Sequence, residues 1–233
     1  MAQNEKGATS QRFMGKPVVM PSLRNKLIQC RYFFGACLLF VVLAFTLSWW
    51  LGKAHIFLAL TPWHHTIGNY FFLVVTQLGN GWFAVALVLL LVVRKQYQAA
   101  AVLLLSYALS GIAAQVIKHS FVELRPYLYF KNLGIELPVV DGQTVLGHSS
   151  SFPSGHTATI FSIVTAIALM HDWRRKNWGW LLLVALLVAY SRMYLSNHFL
   201  ADLAGGALLG MLASLPAYWL VYRYQVRKMA DDR

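Results

Sequence analysis

Charge is what this chain has least of. Only 12% of its 233 residues are Asp, Glu, Lys or Arg, against roughly 25% in a soluble domain. Carboxylates are the scarcest: 8 Asp and Glu stand against 20 Lys and Arg, a net charge of +12. Together with 58% hydrophobic residues gathered in long runs, this shortage excludes a soluble domain and makes the chain an integral membrane protein. Cysteine is nearly absent. Cys30 and Cys37 stand seven apart, about 10 Å of helical rise, too far for a disulfide. They read as small apolar fillers and carry no redox information. A cleavable leader is also missing. The first apolar run starts near Tyr32, behind a polar stretch too long for an ordinary signal, and reads as a retained anchor. Internal repeats and a separate soluble domain are absent as well.

What is present is a series of apolar runs. Residues 1–31 form a basic tail with Lys6, Arg12, Lys16, Arg24, Lys26 and Arg31, and an interfacial turn after Pro21. Segment one is 32–51, ending on Trp49-Trp50 as an interfacial anchor. A short loop with Lys53, Pro62, Trp63, His64 and His65 follows. Gly79-Asn80-Gly81 interrupts the next run. Trp82 to Val93 alone would span about 18 Å of a core of about 30 Å. Segment two is therefore expected to start near Thr76, with 67–75 along the interface and Arg94-Lys95 at its end. Segments three to six are 99–118, 154–170, 178–195 and 199–221. Segment four is closed by Arg174-Arg175-Lys176, and residues 223–233 form a second basic tail. The expected fold is all-α, a polytopic bundle of about six transmembrane helices over residues 32–222.

Six segments put both termini on one side. That side holds 15 of the 20 Lys and Arg; Lys53, Lys118, Arg125, Lys131 and Arg192 lie opposite. The positive-inside rule then makes the tails cytoplasmic. The long loop 119–152 faces outward, into the periplasm of a Gram-negative cell. The same placement explains the net charge without nucleic acid, whose binding modules present their cations on a polar face.

The polar residues that matter collect at the outer ends. Segment three ends at Lys118, and Arg125-Pro126 follows. Segment four opens on Ser149-Ser150-Ser151-Phe152-Pro153-Ser154-Gly155-His156. Pro153 suits the first helical positions. The Ser154 and Gly155 N–H groups are expected to be unpaired and aimed outward, with the positive end of the helix dipole, as a phosphate site. Segment five ends at Ser191-Arg192, and His198 and Asp202 open segment six. Ionisable groups at membrane segments are costly and mark function. Lys118, Arg125 and Arg192 suit phosphate oxygens. His198 and Asp202, four apart, share a helix face. The carboxylate holds one ring nitrogen and leaves the other free to attack phosphorus. His156 can protonate the leaving oxygen. Spacing alone also leaves open a metal site of His198, Asp202 and a loop histidine. It equally leaves open that each terminal cation is a snorkelling anchor. His55, His64, His65, His119, His148 and His171 fit no constellation.

Three motifs stand in order: Lys118, six residues, Arg125-Pro126; then Pro153-Ser154-Gly155-His156; then Ser191-Arg192, five residues, His198, three residues, Asp202. In this the chain resembles the type 2 phosphatidic acid phosphatase superfamily, the membrane lipid phosphatases related to vanadium haloperoxidases. The resemblance implies His198 as nucleophile forming a phosphohistidine, Asp202 supporting it, and His156 as acid for the leaving group and then base for water. It implies phosphate binding by Lys118, Arg125, Arg192, Ser154 and the Gly155 N–H, with no cofactor and no metal. The partners implied are the bilayer and a lipid phosphate or diphosphate; oligomeric state is open. Hydrolysis and phosphotransfer to another lipid both remain compatible with the motifs. The loop 127–152 carries no dense basic cluster, which favours a compact diphosphate over a multiply anionic headgroup. The expectation is undecaprenyl diphosphate, hydrolysed to the monophosphate at the outer face of a bacterial inner membrane. Phosphatidylglycerophosphate, phosphatidic acid and lipid A 1-phosphate are the alternatives.

Overall fold

The structure, a computed structural model, describes residues 20–61, 64–142, 150–171 and 178–232. Lys6, Arg12 and Lys16 of the expected tail, Pro62 and Trp63, Gly147 to Ser149, and the Arg174-Arg175-Lys176 closure lie outside the described residues. The described residues are helical, with no strand among them. In chain order the helices are α1 (Leu23–Gln29), α2 (Arg31–Leu51), α3 (Lys53–Leu60), α4 (Thr66–Val75), a 3-10 turn (Thr76–Gly79), α5 (Gly81–Val93), α6 (Tyr97–Ser120), α7 (Pro126–Asn132), α8 (Gly155–Met170), α9 (Trp178–Tyr194) and α10 (Leu200–Asp231).

Among the described residues α2, α6 and α10 are each long and apolar enough to cross a membrane, and α8 and α9 are shorter apolar helices. α4 and α5 pass the same test only as a pair, bent by 55°. The chain is thus an all-α membrane protein built from the apolar runs seen in its sequence. The interruption at Gly79-Asn80-Gly81 is a real break, and α4 is a full helix before it. Three expectations are corrected. The loop after Leu51 is largely helical, as α3. The long outer loop contains α7, whose Pro126 occupies the first helical turn, where proline costs nothing. The final tail is no tail: α10 runs on through Arg223, Arg227 and Lys228 to Asp231, about 48 Å in all and longer than the membrane core. The basic tail at the other end is packed from Met20 onward. The Met20 N–H donates to Gln225 Oε1 at 3.0 Å, and Lys26 Nζ donates to the His171 carbonyl at 2.8 Å.

The bundle is arranged around α8. Every residue from Thr157 to Leu169 is buried except Ile167, which no lipid-facing helix allows. α10 and α6 pack against it, and α2 packs on α10 and reaches α8 through Phe40, whose ring stacks on Phe161 at 6.0 Å. α8 and α10 run parallel, since Ser154, Ala158 and Ser162 meet Asp202, Gly206, Gly210 and Ser214 in rising order. Their N-termini therefore lie together at one end. The small residues permit this: a Cβ on Gly210 would fall 2.5 Å from the Ala158 carbonyl oxygen and 2.7 Å from the Ser162 nitrogen. Close backbone approach through glycine four residues apart is how membrane helices pack without a hydrophobic drive. The outer faces of α2 and α5 stay apolar and exposed, as at Leu39, Val42, Val85 and Leu89.

This close approach sets an expected outcome. Gly210→Ala gains about 1 kcal/mol of helix propensity but places a methyl group into backbone atoms that cannot rotate away. Overpacking of about 1–3 kcal/mol should dominate and lower the melting temperature in detergent. Gly111→Ala on α6, with nothing within 4 Å of the new Cβ, should leave it unchanged or raise it. Equal behaviour of the two variants would contradict the packing described.

Candidate active site

The turn from α9 to α10 builds the first half of the site. The Asn197 and His198 N–H groups fold back to donate to the Arg192 carbonyl at 3.0 and 3.2 Å. Ser196 takes a left-handed φ of 54°, the conformation that ends helices in this way. α10 starts at Leu200, and the Phe199 N–H donates to Asp202 Oδ2 at 2.8 Å, a carboxylate capping its own helix. The same oxygen accepts the Ser151 hydroxyl and lies 3.5 Å from His198 Nδ1. On the other edge of the ring, Arg125 Nη1 is 3.4 Å from Nε2 and donates to the Asn197 carbonyl at 3.2 Å. A guanidinium only donates, so Nε2 is the acceptor and the imidazole proton sits on Nδ1, which lies 3.5 Å from both Asp202 Oδ2 and Ser151 Oγ. Burial, and then the Arg125, Arg192 and Lys118 charges, push the His198 pKa below its ordinary value. The ring is therefore neutral, with a lone pair on Nε2.

The start of α8 builds the second half. Ser154 is its N-cap and accepts from the Thr157 N–H at 3.4 Å. The Thr157 hydroxyl also donates to Ser154 Oγ, at 2.9 Å. With both bonds accepted, the hydrogen of Ser154 remains to donate elsewhere. Two expectations are corrected here. Pro153 precedes the cap and is not in the helix; its peptide bond to Phe152 is cis. The Ser154 N–H is not free for an anion, because it donates to the Asp202 carbonyl at 3.0 Å. That bond joins the starts of α8 and α10. The Gly155 N–H stands at the first helical position, where a helix offers no acceptor of its own.

The remaining cations arrive from helix ends. A Cβ on Gly155 would lie 3.9 Å from Lys118 Nζ, so the end of α6 reaches the start of α8. Arg192, in the last turn of α9, donates through Nη1 to Thr76 Oγ1 at 2.8 Å. His156 stands within electrostatic reach of Arg192, His198, Lys118 and Arg125. Gly79 packs on it, with room for a Cβ only 2.9 Å from its carbonyl oxygen. The eight residues singled out from the sequence thus gather at one end of the bundle. Arg125, Arg192, His198 and Asp202 are 3%, 6%, 2% and 5% exposed, while Lys118 and His156 are half-buried.

Two further residues in contact with this group carry no sequence signal of their own. Ser151, fully buried, is one of three consecutive serines, and nothing in its sequence distinguishes it from Ser150. Thr76 lies upstream of all three motifs. Among the described residues no three His, Cys, Asp or Glu side chains come together to hold a metal ion. His148, a loop histidine of the alternative metal reading, lies outside them.

Known proteins share this architecture. The chain is 44% identical over 70 residues to the bacitracin transport permease protein BcrC of Bacillus licheniformis, 30% of this chain and 33% of that protein. It is 31% identical over 115 residues to the putative undecaprenyl-diphosphatase YbjG of Escherichia coli K12, 48% and 52% of the two chains. The alignments thus span about a third to a half of these curated relatives. The transmembrane PAP2-type phosphatidylglycerolphosphate phosphatase of Bacillus subtilis superposes with a TM-score of 0.57 at 22% identity, over 82% of this chain and 94% of that one, which shows a shared fold. Residues 99–226 match the family model described as the PAP2 superfamily; these hold all three motifs and more than half of the sequence, and the chain belongs to that superfamily.

Proposed function

We propose that the protein is a membrane lipid phosphatase acting through a phosphohistidine, with undecaprenyl diphosphate as substrate. The observation that carries this reading is the pairing of His198: Nδ1 towards Asp202 at 3.5 Å and Nε2 towards Arg125 at 3.4 Å. A neutral histidine oriented by a carboxylate, with a cation beside its lone pair, is a nucleophile aimed at an anion. The Nε2 lone pair attacks phosphorus, and the bond from phosphorus to the leaving oxygen breaks. That oxygen takes the proton of His156. His156 then removes a proton from water, the resulting hydroxide attacks phosphorus, and the P–N bond breaks to free phosphate and restore His198. Lys118, Arg125, Arg192, the Ser154 hydroxyl and the Gly155 N–H hold the phosphoryl oxygens as charge develops. The parallel starts of α8 and α10 add two helix-dipole ends of the same sign.

The substrate reading rests on the likeness to the putative undecaprenyl-diphosphatase of Escherichia coli and on the sparse charge of residues 127–142, where Lys131 is the lone cation against Glu136 and Asp141. A compact diphosphate fits that surface better than a headgroup with several separated phosphates. The site faces the periplasm of an inner membrane, with both termini in the cytoplasm and the membrane domain over residues 32–222.

Purified protein should release inorganic phosphate from undecaprenyl diphosphate with a higher kcat/KM than from phosphatidylglycerophosphate, phosphatidic acid or lipid A 1-phosphate in one detergent. A hundredfold preference for any of the other three, about 2.7 kcal/mol in transition-state binding, would replace the substrate. A lipid product without free phosphate would mean transfer in place of hydrolysis.

His198→Ala should lower kcat by more than about a thousandfold. The depressed pKa of His198 fixes the sign of the acid limb: the neutral nucleophile persists below pH 6.5, the value of a free imidazole. After correction for the second ionisation of the substrate phosphate, about pH 6, kcat/KM should therefore hold below 6.5 before falling. A fall that begins above 6.5 contradicts a neutral resting nucleophile.

Topology has its own test. Cysteine introduced by Gly142→Cys should react with an impermeant thiol reagent on intact cells, and cysteine introduced by Lys95→Cys should not. The reverse pattern would place the site in the cytoplasm.

A further inference from the structure

The 3-10 turn Thr76–Gly79 sits where a membrane helix should not be interrupted. Irregular backbone at membrane depth persists only when buried in protein or lining a cavity. Here it is wedged between α8 and α9, touching two residues of the site. Thr76 is 5% exposed, and its Oγ1 accepts from Arg192 Nη1 at 2.8 Å. Gly79 fixes the depth of the wedge, since a Cβ there would fall 2.7 Å from Val188 Cγ1 and 3.0 Å from His156 Cβ. The turn cannot slide outward without losing both contacts.

An arginine grips an oxyanion either end-on, through Nη1 and Nη2, or side-on, through Nε and Nη2. In Arg192 the Thr76 hydroxyl takes one of the two N–H bonds of Nη1, which fixes the rotation of the guanidinium plane. Nε is buried and has no hydrogen-bond partner among the described residues. A buried guanidinium donor without an acceptor is costly, and an anion at that edge satisfies it.

We propose that Thr76 is a positioning residue: by holding Nη1, it turns the Arg192 guanidinium so that its Nε edge is the one presented to the substrate phosphoryl group. The inference rests on the phosphatase reading above and deepens it. It also assigns a part of the phosphate grip to a stretch outside the three motifs and outside residues 99–226. Among the described residues the Thr76 hydroxyl hydrogen-bonds with Arg192, so its effect should appear wherever an oxyanion binds.

The test uses full-length protein in detergent, with vanadate as the probe of the phosphate site. Thr76→Val keeps the shape and removes the acceptor. It should weaken vanadate inhibition about tenfold, the worth of one hydrogen bond to a charged group, with kcat/KM falling by a similar factor. Thr76→Ser keeps the hydroxyl and should return both towards wild type, an outcome that a merely structural role of the methyl group would not produce. In an Arg192→Lys background, which has no Nε edge to orient, Thr76→Val should have no further effect. Full additivity of the two substitutions, or vanadate inhibition of Thr76→Val within twofold of wild type, overturns the proposal. If Thr76→Val does not fold, Thr76→Ala carries the same expectations. Vanadate-induced thermal stabilisation is measured alongside. Wild-type protein that is stabilised by vanadate yet releases no phosphate from any lipid refutes the phosphatase reading, while the comparison among variants still decides the role of Thr76.

Discussion

Two buried arginines and a half-buried lysine surround one buried carboxylate at the end of this bundle. Taking charge out of water costs several kcal/mol per ion, and an uneven set cannot recover that cost internally. Two of the cations lean on neutral oxygens, Arg125 on the Asn197 carbonyl and Arg192 on the Thr76 hydroxyl. Asp202 is itself occupied by the Phe199 N–H and the Ser151 hydroxyl. The charge of Arg192 is thus held in place by a hydrogen bond to a neutral hydroxyl that orients it. On the proposed reading an oxyanion completes such a site, and fixed donors would need no rearrangement as charge builds on the phosphoryl oxygens.

Holding that imbalance demands a rigid frame, and the frame is the parallel contact of α8 and α10. Gly206 and Gly210 let the two backbones touch, and the Ser154 N–H to Asp202 carbonyl bond fixes their starts. The contact has two effects on chemistry. It brings His156 and His198, 42 positions apart in the chain, to the same end of the bundle. It also couples packing to catalysis, because a shift of α10 along α8 moves Asp202 and His198 together with respect to His156. A near-attack geometry tolerates little of that, since a displacement of about 1 Å can cost about a hundredfold in rate.

Much of this was legible in the chain itself. Lys118, Arg125, His156, Arg192, His198 and Asp202 announce themselves because ionisable groups are so rare among the apolar runs. The Gly79-Asn80-Gly81 break was legible for the opposite reason, as a loss of apolar continuity. What escaped depended on main-chain partners and on small residues. The Ser154 N–H looks free in a list of helix starts, and only the fold brings the Asp202 carbonyl to it. Thr76 and Ser151 are ordinary residue types in polar or broken stretches, and their meaning lies wholly in which atoms they meet. α3 and α7 were missed because a helix of seven or eight residues has too few turns to show a period.

The position of the break then explains more than topology. A straight helix through residues 66–93 would present side chains of one face to α8 and α9, and each of those side chains would keep the backbones apart. The 55° bend and the glycine at position 79 instead bring main chain against His156 and a hydroxyl against Arg192. The motif-bearing helices carry the two histidines and the cations, and the broken pair packs against them through Thr76 and Gly79. The break lies outside the residues that match the family model, so its contacts with His156 and Arg192 follow from the fold and not from the motifs.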